Sequence, residues 1–355
     1  LIGCGERAAP DNSATGLLTA PEDMTGFAQA LEPRAFRFPE DHGPHPDFRT
    51  EWWYFTGNLT ATSGRALGFE LTLFRFALQG EPVEHPSAWA TRQAYMGHLA
   101  VTDVTGEAFF AEERFARGGD LGLAGATRDP VTVWLNDWRI QHEGTDWRLS
   151  AATPEFGIDL ALQPRKEPVL NSREGLSQKG PEPGNASYYY SITRLSTTGE
   201  VRLPAGSFTV TGSAWMDREW STSALGEDQQ GWDWFALQFD NETELMLYQI
   251  RGADGEPGPT SAGTFTRADG TTHHLDANDY TIEVHDHWAS DAGRRYPSEW
   301  TLRVPDLALE LEVEPKLADQ VLDFAFPYWE GAVRVAGSRA DAPIAGQGYV
   351  ELVGY

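Results

Sequence analysis

Residues 51–76 read EWWYFTGNLTATSGRALGFELTLFRF, and the reading of this stretch decides the fold. Its two halves, EWWYFTGNL (51–59) and LGFELTLFRF (67–76), alternate with period two or run apolar, as strands do. Between them Thr62-Ser63-Gly64 supplies the small residues of a hairpin turn. Outward from this hairpin the same pattern continues in MGHLAVTDVTG (96–106), VTVWLNDWRIQHEG (131–144), WRLSAATPEFGIDLALQP (147–164) and SYYYSITRL (187–195). Helical periodicity is scarce, and 36 Gly and 22 Pro suit many short strands joined by many turns. The chain is expected to be all-β.

The hairpin also has an echo. Trp52-Trp53-Tyr54-Phe55 recurs as Trp232-Asp233-Trp234-Phe235, and GFELTLFRF recurs as ELMLYQIR (244–251). The segment YYSITRLSTTGEVRLPAGSFTVTGSAW (189–215) is matched by YWEGAVRVAGSRADAPIAGQGYVELVGY (328–355). Opening and closing markers recur in one order, which implies two complete copies split near residue 222. A length of 355 residues agrees with two domains at about 150 residues each. Each copy is long enough for an antiparallel barrel of about eight strands, able to hold one small ligand. Two stacked sandwiches are the alternative. The expected division is a leading segment and flexible tether over 1–35, an N-terminal domain over 36–222 and a C-terminal domain over 223–355. One short helical turn is expected around Phe27 to Leu31. The Gly/Pro/charge-rich stretch 165–186 is a long connection of the kind that tends to carry function.

The formal net charge of −26 makes nucleic acid and anionic head groups poor partners. No apolar run approaches the length of a membrane-spanning helix. The single cysteine, Cys4, excludes an intramolecular disulfide and a Cys-based metal site. Its setting, Leu1-Ile2-Gly3-Cys4-Gly5, resembles a bacterial lipobox, which implies export and a membrane anchor through a lipidated Cys4. Gly5 in place of Asp favours the outer membrane, on the periplasmic side of the cell envelope.

Four clusters combine carboxylates with aromatics: Glu51 with Trp52 to Tyr54, WMDREW (215–220), Trp232-Asp233-Trp234, and Tyr328-Trp329-Glu330. On a strand, Asp217, Glu219 and Trp215 share one face, and Met216, Arg218 and Trp220 take the other. A carboxylic acid enclosed by indole rings is desolvated and keeps its proton near neutrality, as a general acid must. A second carboxylate can orient water, and aromatic faces can stabilise a developing cation. This chemistry suits protonation of an electron-rich double bond followed by capture of water, or hydrolysis of an apolar ester. A plain salt bridge to Arg218 and ordinary barrel plugs are the alternative reading of the same residues. His285 and His287 form an HxH pair without a third ligand, so no metal is assigned. The sequence has no GxSxG, HExxH, P-loop or GxGxxG motif, and no cofactor is assigned.

With these motifs together, the chain resembles the bacterial lipocalin-like family named after carotenoid 1,2-hydratase (hydroxyneurosporene synthase), and most closely its secreted branch of predicted hydrolases. The matching strings are DHGPHPDFRTEWWYFTGNL (41–59), GHLAVTD (97–103), NASYYYSITRL (185–195), GSAWMDREWSTSAL (212–225), GWDWFALQFD (231–240), ELMLYQIR (244–251), YWEGAVRV (328–335) and GYVELVGY (348–355). They span about residues 41–355. The resemblance implies two tandem lipocalin-like (calycin) antiparallel β-barrel domains. It also implies an apolar substrate, isoprenoid or lipid-like, held in or between the barrels, and Asp217 as the acid. Where some relatives carry His after that Asp, this chain has Arg218, a permanent cation that would lower the acid's pKa unless it points away.

The expected catalytic residues are Asp217, Glu219 and Asp233. The expected substrate-binding residues are Glu51, Trp53, His98, Tyr189, Trp215, Trp232, Trp234, Gln249 and Trp329. Three readings stand: a hydratase-like or hydrolase-like enzyme, a non-catalytic carrier of a hydrophobic ligand, and a structural envelope protein with filled barrels. The WMDREW acids sit at the seam between copies, while the matching end of the second copy, VELVGY (350–355), is expected to lack their counterpart.

Overall fold

The computed structural model of the chain describes residues 24–80, 91–222, 225–226 and 228–355. Cys4 and its lipobox-like setting lie outside the described residues. Among the described residues there is no α-helix, only two single 3-10 turns, Glu40–His42 and Pro305–Leu307. Everything else that is regular is strand, in two curled, nearly closed antiparallel sheets of the lipocalin-like kind.

The first barrel opens with β1 (Thr50–Ala61), β2 (Ala66–Ala77), β3 (Gln93–Asp103) and β4 (Ala108–Arg117). Shorter strands follow: β5 (Ala124–Arg128), β6 (Val131–Leu135), β7 (Trp138–Glu143), β8 (Asp146–Ala152) and β9 (Gly157–Pro164). Two fragments, β10 (Val169–Leu170) and β11 (Leu176–Gln178), precede the long β12 (Ala186–Leu203) and β13 (Gly206–Ser221). The order across this 13-stranded sheet is β4-β3-β2-β1-β13-β12-β9-β8-β7-β6-β5, with β10 and β11 added against β12. β3 and β4 curl round to touch β5 and β6.

The second barrel has 10 strands. They are β14 (Gln229–Phe239), β15 (Glu244–Gly252), β16 (Ala262–Thr266), β17 (Thr272–Asp276) and β18 (Thr281–Ala289), then β19 (Arg295–Val304), β20 (Leu309–Pro315), β21 (Val321–Leu322), β22 (Tyr328–Arg339) and β23 (Ala342–Val353). Their order is β17-β16-β15-β14-β23-β22-β20-β19-β18, with β21 against β22. In both barrels the opening strand pairs with the closing one, β1 with β13 and β14 with β23.

Strand alternation divides each opening and closing strand between two cores. Trp53, Phe55, Met216 and Trp220 point into the first barrel with Trp138, Trp147 and Leu149. Phe235, Leu237, Trp300 and Trp329 fill the second. The alternate residues Tyr54, Trp215, Trp234, Tyr248 and Tyr349 form a third core where the barrels meet. Gly68 permits this close approach, because a Cβ there would lie 2.5 Å from the Tyr349 hydroxyl. Polar contacts also cross the seam. Gln238 donates to the carbonyls of Thr193 (2.7 Å) and Ala214 (2.9 Å), and buried Glu244 takes both Lys166 and Arg194.

The sheets hold more strands than the eight expected per barrel. VTVWLNDWRIQHEG is two strands, because Asn136 turns the chain in a left-handed conformation (φ 55°). WRLSAATPEFGIDLALQP is likewise two, broken by Thr153, which accepts from the backbone amides of Glu155 and Phe156. No helical turn forms at Phe27–Leu31. That segment packs against the first barrel instead: Ala30 is buried, the Ala28 amide donates to the Asp47 carbonyl, and Tyr188 donates to the Glu32 carbonyl.

Candidate active site between the barrels

A cavity of about 160 Å³ lies at the seam, not inside either barrel. From the first barrel it is walled by Trp52, Tyr54, Phe74, Tyr189, Asp217 and Glu219. From the second it is walled by Trp232, Trp234, Tyr248, Tyr328, Glu330 and Glu351. The connection 165–186 reaches in as well. Its β11 pairs with β12, and Lys179 just beyond it lines the cavity.

Asp217 is 5% exposed and is held by three donors. Tyr189 Oη donates to Oδ2 at 2.5 Å, while Trp215 Nε1 (2.7 Å) and the Ser191 hydroxyl donate to Oδ1. Trp234 Nε1 donates in turn to Tyr189 Oη at 3.1 Å, so the second barrel braces the acid's partner. Burial pushes the Asp217 carboxyl up to about 7, against the three hydrogen bonds and with help from the charge of Glu219. The three donors also stand ready to stabilise the carboxylate that a donated proton would leave behind.

Glu219 accepts from Ser187 and pairs with Lys179 Nζ at 2.9 Å. Burial disfavours the Lys179 charge, but Glu219 and the other acidic groups around it together outweigh this and hold the ammonium pKa above its ordinary value. Lys179 also sits over the rings of Tyr248 (4.6 Å) and Tyr189 (5.2 Å).

The second barrel brings acids of its own. Glu351 lies opposite Trp234 on the ladder, as Asp217 lies opposite Tyr54, so the two acids hold equivalent places in the two copies. Glu330 lies opposite Glu351 as Ser191 lies opposite Asp217. VELVGY therefore does carry an acid facing the seam, contrary to its acid-poor reading. Burial pushes Glu351 up to about 7, with the Trp232 hydrogen bond opposing and the charges of Asp217 and Glu219 adding. Burial, then the charges of Glu70 and Glu351, hold Glu330 well above the usual carboxyl range, although Tyr54 donates to it at 2.5 Å. Glu70, buried behind this wall, is raised by burial in the same way, with only a hydrogen bond from Thr72 opposing.

Of the residues expected from sequence, Asp217, Glu219, Tyr189, Trp232 and Trp234 line the cavity, and Trp215 touches Asp217. Glu51, Trp53, Asp233, Gln249 and Trp329 do not. Alternation turns each of them into a barrel interior. Glu51 lies between Arg75 and Arg218, whose charges hold its carboxyl well below the ordinary range although burial alone would raise it. Arg218 caps Trp53 at 3.9 Å, so this cation faces away from Asp217. Asp233 accepts from Gln249 (2.8 Å), Arg251 (3.1 Å) and Tyr355 (2.8 Å) at one end of the second barrel. Trp329 donates to the Ala318 carbonyl inside that barrel. His98 stands one layer behind the cavity, bonded to Tyr328 Oη at 2.7 Å.

Tyr248, Glu351 and Lys179 were not singled out from sequence, and Trp52, Tyr54, Tyr328 and Glu330 stood in the carboxylate–aromatic clusters but not among the expected site residues. Applying the i, i+2 rule to Tyr328-Trp329-Glu330 would have found two of them, but nothing local marks Glu351 or Lys179. No group of three His, Cys, Asp or Glu placed to hold a metal occurs among the described residues.

A sequence model of the AttH-like family matches residues 29–355. The crystal structure of an AttH-like protein from Nitrosomonas europaea superposes with a TM-score of 0.83 at 34% identity, over 93% of this chain and 100% of that one. Kievitone hydratase from Nectria haematococca superposes with a TM-score of 0.70 at 15% identity, over 92% of this chain and 98% of that one. CghA gives a TM-score of 0.57 at 12% identity, over 95% of this chain and 96% of that one. The last two show a shared fold. No curated protein sequence matches the chain.

Proposed function

The chain belongs to the AttH-like family, and on that premise we propose that it is an acid-driven hydratase for an apolar, isoprenoid- or lipid-like molecule bound between its barrels. The observation that carries this reading is Asp217, a buried carboxyl on the wall of an aromatic cavity, raised to about 7 yet gripped by three donors. Such a group is protonated near neutrality and stable as a carboxylate once the proton has gone, which is what a general acid requires. That a protein of this fold is named a hydratase supports the reading.

The chemistry follows from the walls. Asp217 gives its proton to one carbon of the double bond, forming C–H as O–H breaks, and the other carbon becomes a cation. The faces of Trp52, Trp232 and Trp234 stabilise that cation. Water, oriented by Glu219 on its Lys179 support, adds to the cation, and the proton it sheds restores Asp217. The cavity would serve a carrier too, since its lining is largely aromatic.

The test is incubation with acyclic isoprenoids in oxygen-18 water. Wild-type protein is expected to yield labelled alcohol, and Asp217→Asn to lose activity by about 10²- to 10⁴-fold. Equal labelling by both proteins would refute the acid assignment. Tight binding without product across a broad lipid panel would make the protein a carrier.

A further inference from the structure

A second set of titratable groups crosses the seam away from Asp217. His98 on β3 is fully buried, with Nδ1 2.7 Å from Tyr328 Oη on β22 of the other barrel. Its Nε2 lies 3.1 Å from Glu113 Oε1 on β4. The Glu113 side chain is 14% exposed, so the outer end of this chain reaches solvent. The inner end is Tyr328, which lines the cavity. The rings of Phe324 (4.8 Å), Phe74 (5.3 Å) and Phe326 (5.7 Å) pack on the imidazole and shield it from other polar contact.

Each imidazole nitrogen thus faces a group able both to donate and to accept, a phenol on one side and a carboxyl on the other. Burial lowers the basicity of His98, although Glu113 works the other way, so the ring is neutral at neutral pH, with one nitrogen protonated and the other free. Tyr328 and Glu330 share one face of β22, two residues apart. Glu330 is 1% exposed and lines the same cavity as Tyr328.

We propose that Glu113, His98 and Tyr328 form a proton relay linking solvent to the buried Glu330 carboxyl on the cavity wall. Inward, the Glu113 Oε1–H bond breaks as His98 Nε2–H forms. The Nδ1–H proton then passes to the Tyr328 oxygen, and the original Tyr328 hydroxyl proton leaves through a cavity water to the Glu330 carboxylate. Glu113 ends as a carboxylate and Glu330 as an acid, so charge is conserved. Running outward, the same steps reverse and restore the ring tautomer. An apolar ligand in the cavity mouth would cut the acids off from bulk water, and the relay keeps them in exchange. That use rests on the acid chemistry proposed above, whereas the relay is a property of the ligand-free protein.

The experiment needs no substrate. Protons are released from a photoacid in alkaline solution, and time-resolved infrared spectroscopy follows the carbonyl stretch of protonated Glu330, identified by its loss in Glu330→Gln. Tyr328→Phe, which keeps the ring, and His98→Gln are expected to slow its appearance by at least about tenfold. Equal rates in wild type and Tyr328→Phe overturn the proposal. A lowered melting temperature with an unchanged rate also overturns it, making the link a structural clasp. If His98→Gln does not fold, Tyr328→Phe decides alone. Failure here leaves the oxygen-18 result standing, and failure there leaves the relay standing.

Discussion

Asp217 accepts hydrogen bonds from Tyr189, Ser191 and Trp215, whereas Arg218, the next residue, reaches into the first barrel toward Glu51. Sequence adjacency is therefore no guide to which charges interact, and the direction of one strand residue decides whether the acid is neutral. The same division runs through Trp52 and Trp53. Trp53 is fully buried, donates to the His42 carbonyl at 2.9 Å and carries Arg218 on its face. Trp52 is half-buried at the cavity. Trp53→Ala is expected to lower stability by about 3–5 kcal/mol in urea denaturation. Trp52→Ala is expected to cost a small part of that but to weaken capture of an apolar fluorescent ligand. Equal destabilisation by the two substitutions would contradict the assignment of faces.

At the scale of strands, the recurring opening and closing strings found the duplicated plan, and period-two reasoning found the opening hairpin and the shared face of Trp215, Asp217 and Glu219. It had the means to send Trp53 and Trp329 inward too, since Tyr54, Tyr328 and Glu330 occupy the alternate positions. What sequence could not supply was which outer face meets which. Glu330, Glu351 and Glu70 become one cluster only because β2 of the first barrel packs on β22 of the second. Lys179 reaches Glu219 because β11 adds to β12, a pairing of two short segments with little pattern of their own. Turn chemistry limited strand counting. Asn136 and Thr153 each divide one patterned stretch into two strands, and neither is flanked by the Gly pairs that mark a hairpin most clearly.

At the scale of the molecule, the duplicated plan gives two barrels whose interiors are filled, and the cavity lies at the seam between them. Packing acids there has a consequence for stability. Asp217 and Glu351 are raised to about 7, and Glu70 and Glu330 stand well above their usual range. The folded protein therefore holds protons that the unfolded chain releases near pH 4. Their contribution to stability is full below that point and is lost as pH rises through the folded values. Glu51 acts in the opposite sense, but its stabilisation fades only in stronger acid. Burial holds His42, His98 and His142 below the ordinary imidazole value of 6.5, so they oppose the raised acids below that pH. The melting temperature is expected to fall as pH rises from about 6.5 to 8, and Asp217→Asn with Glu351→Gln should flatten that slope. A melting temperature that rises over this window would contradict the protonated seam. The hydratase reading depends on Asp217 being neutral in the folded chain. Carbon-13 NMR titration of the carboxyl-labelled aspartates, with Asp217 assigned by Asp217→Asn, reads this directly. The account predicts a midpoint of about 7 for Asp217, and a midpoint near the ordinary value of 3.8 would contradict it.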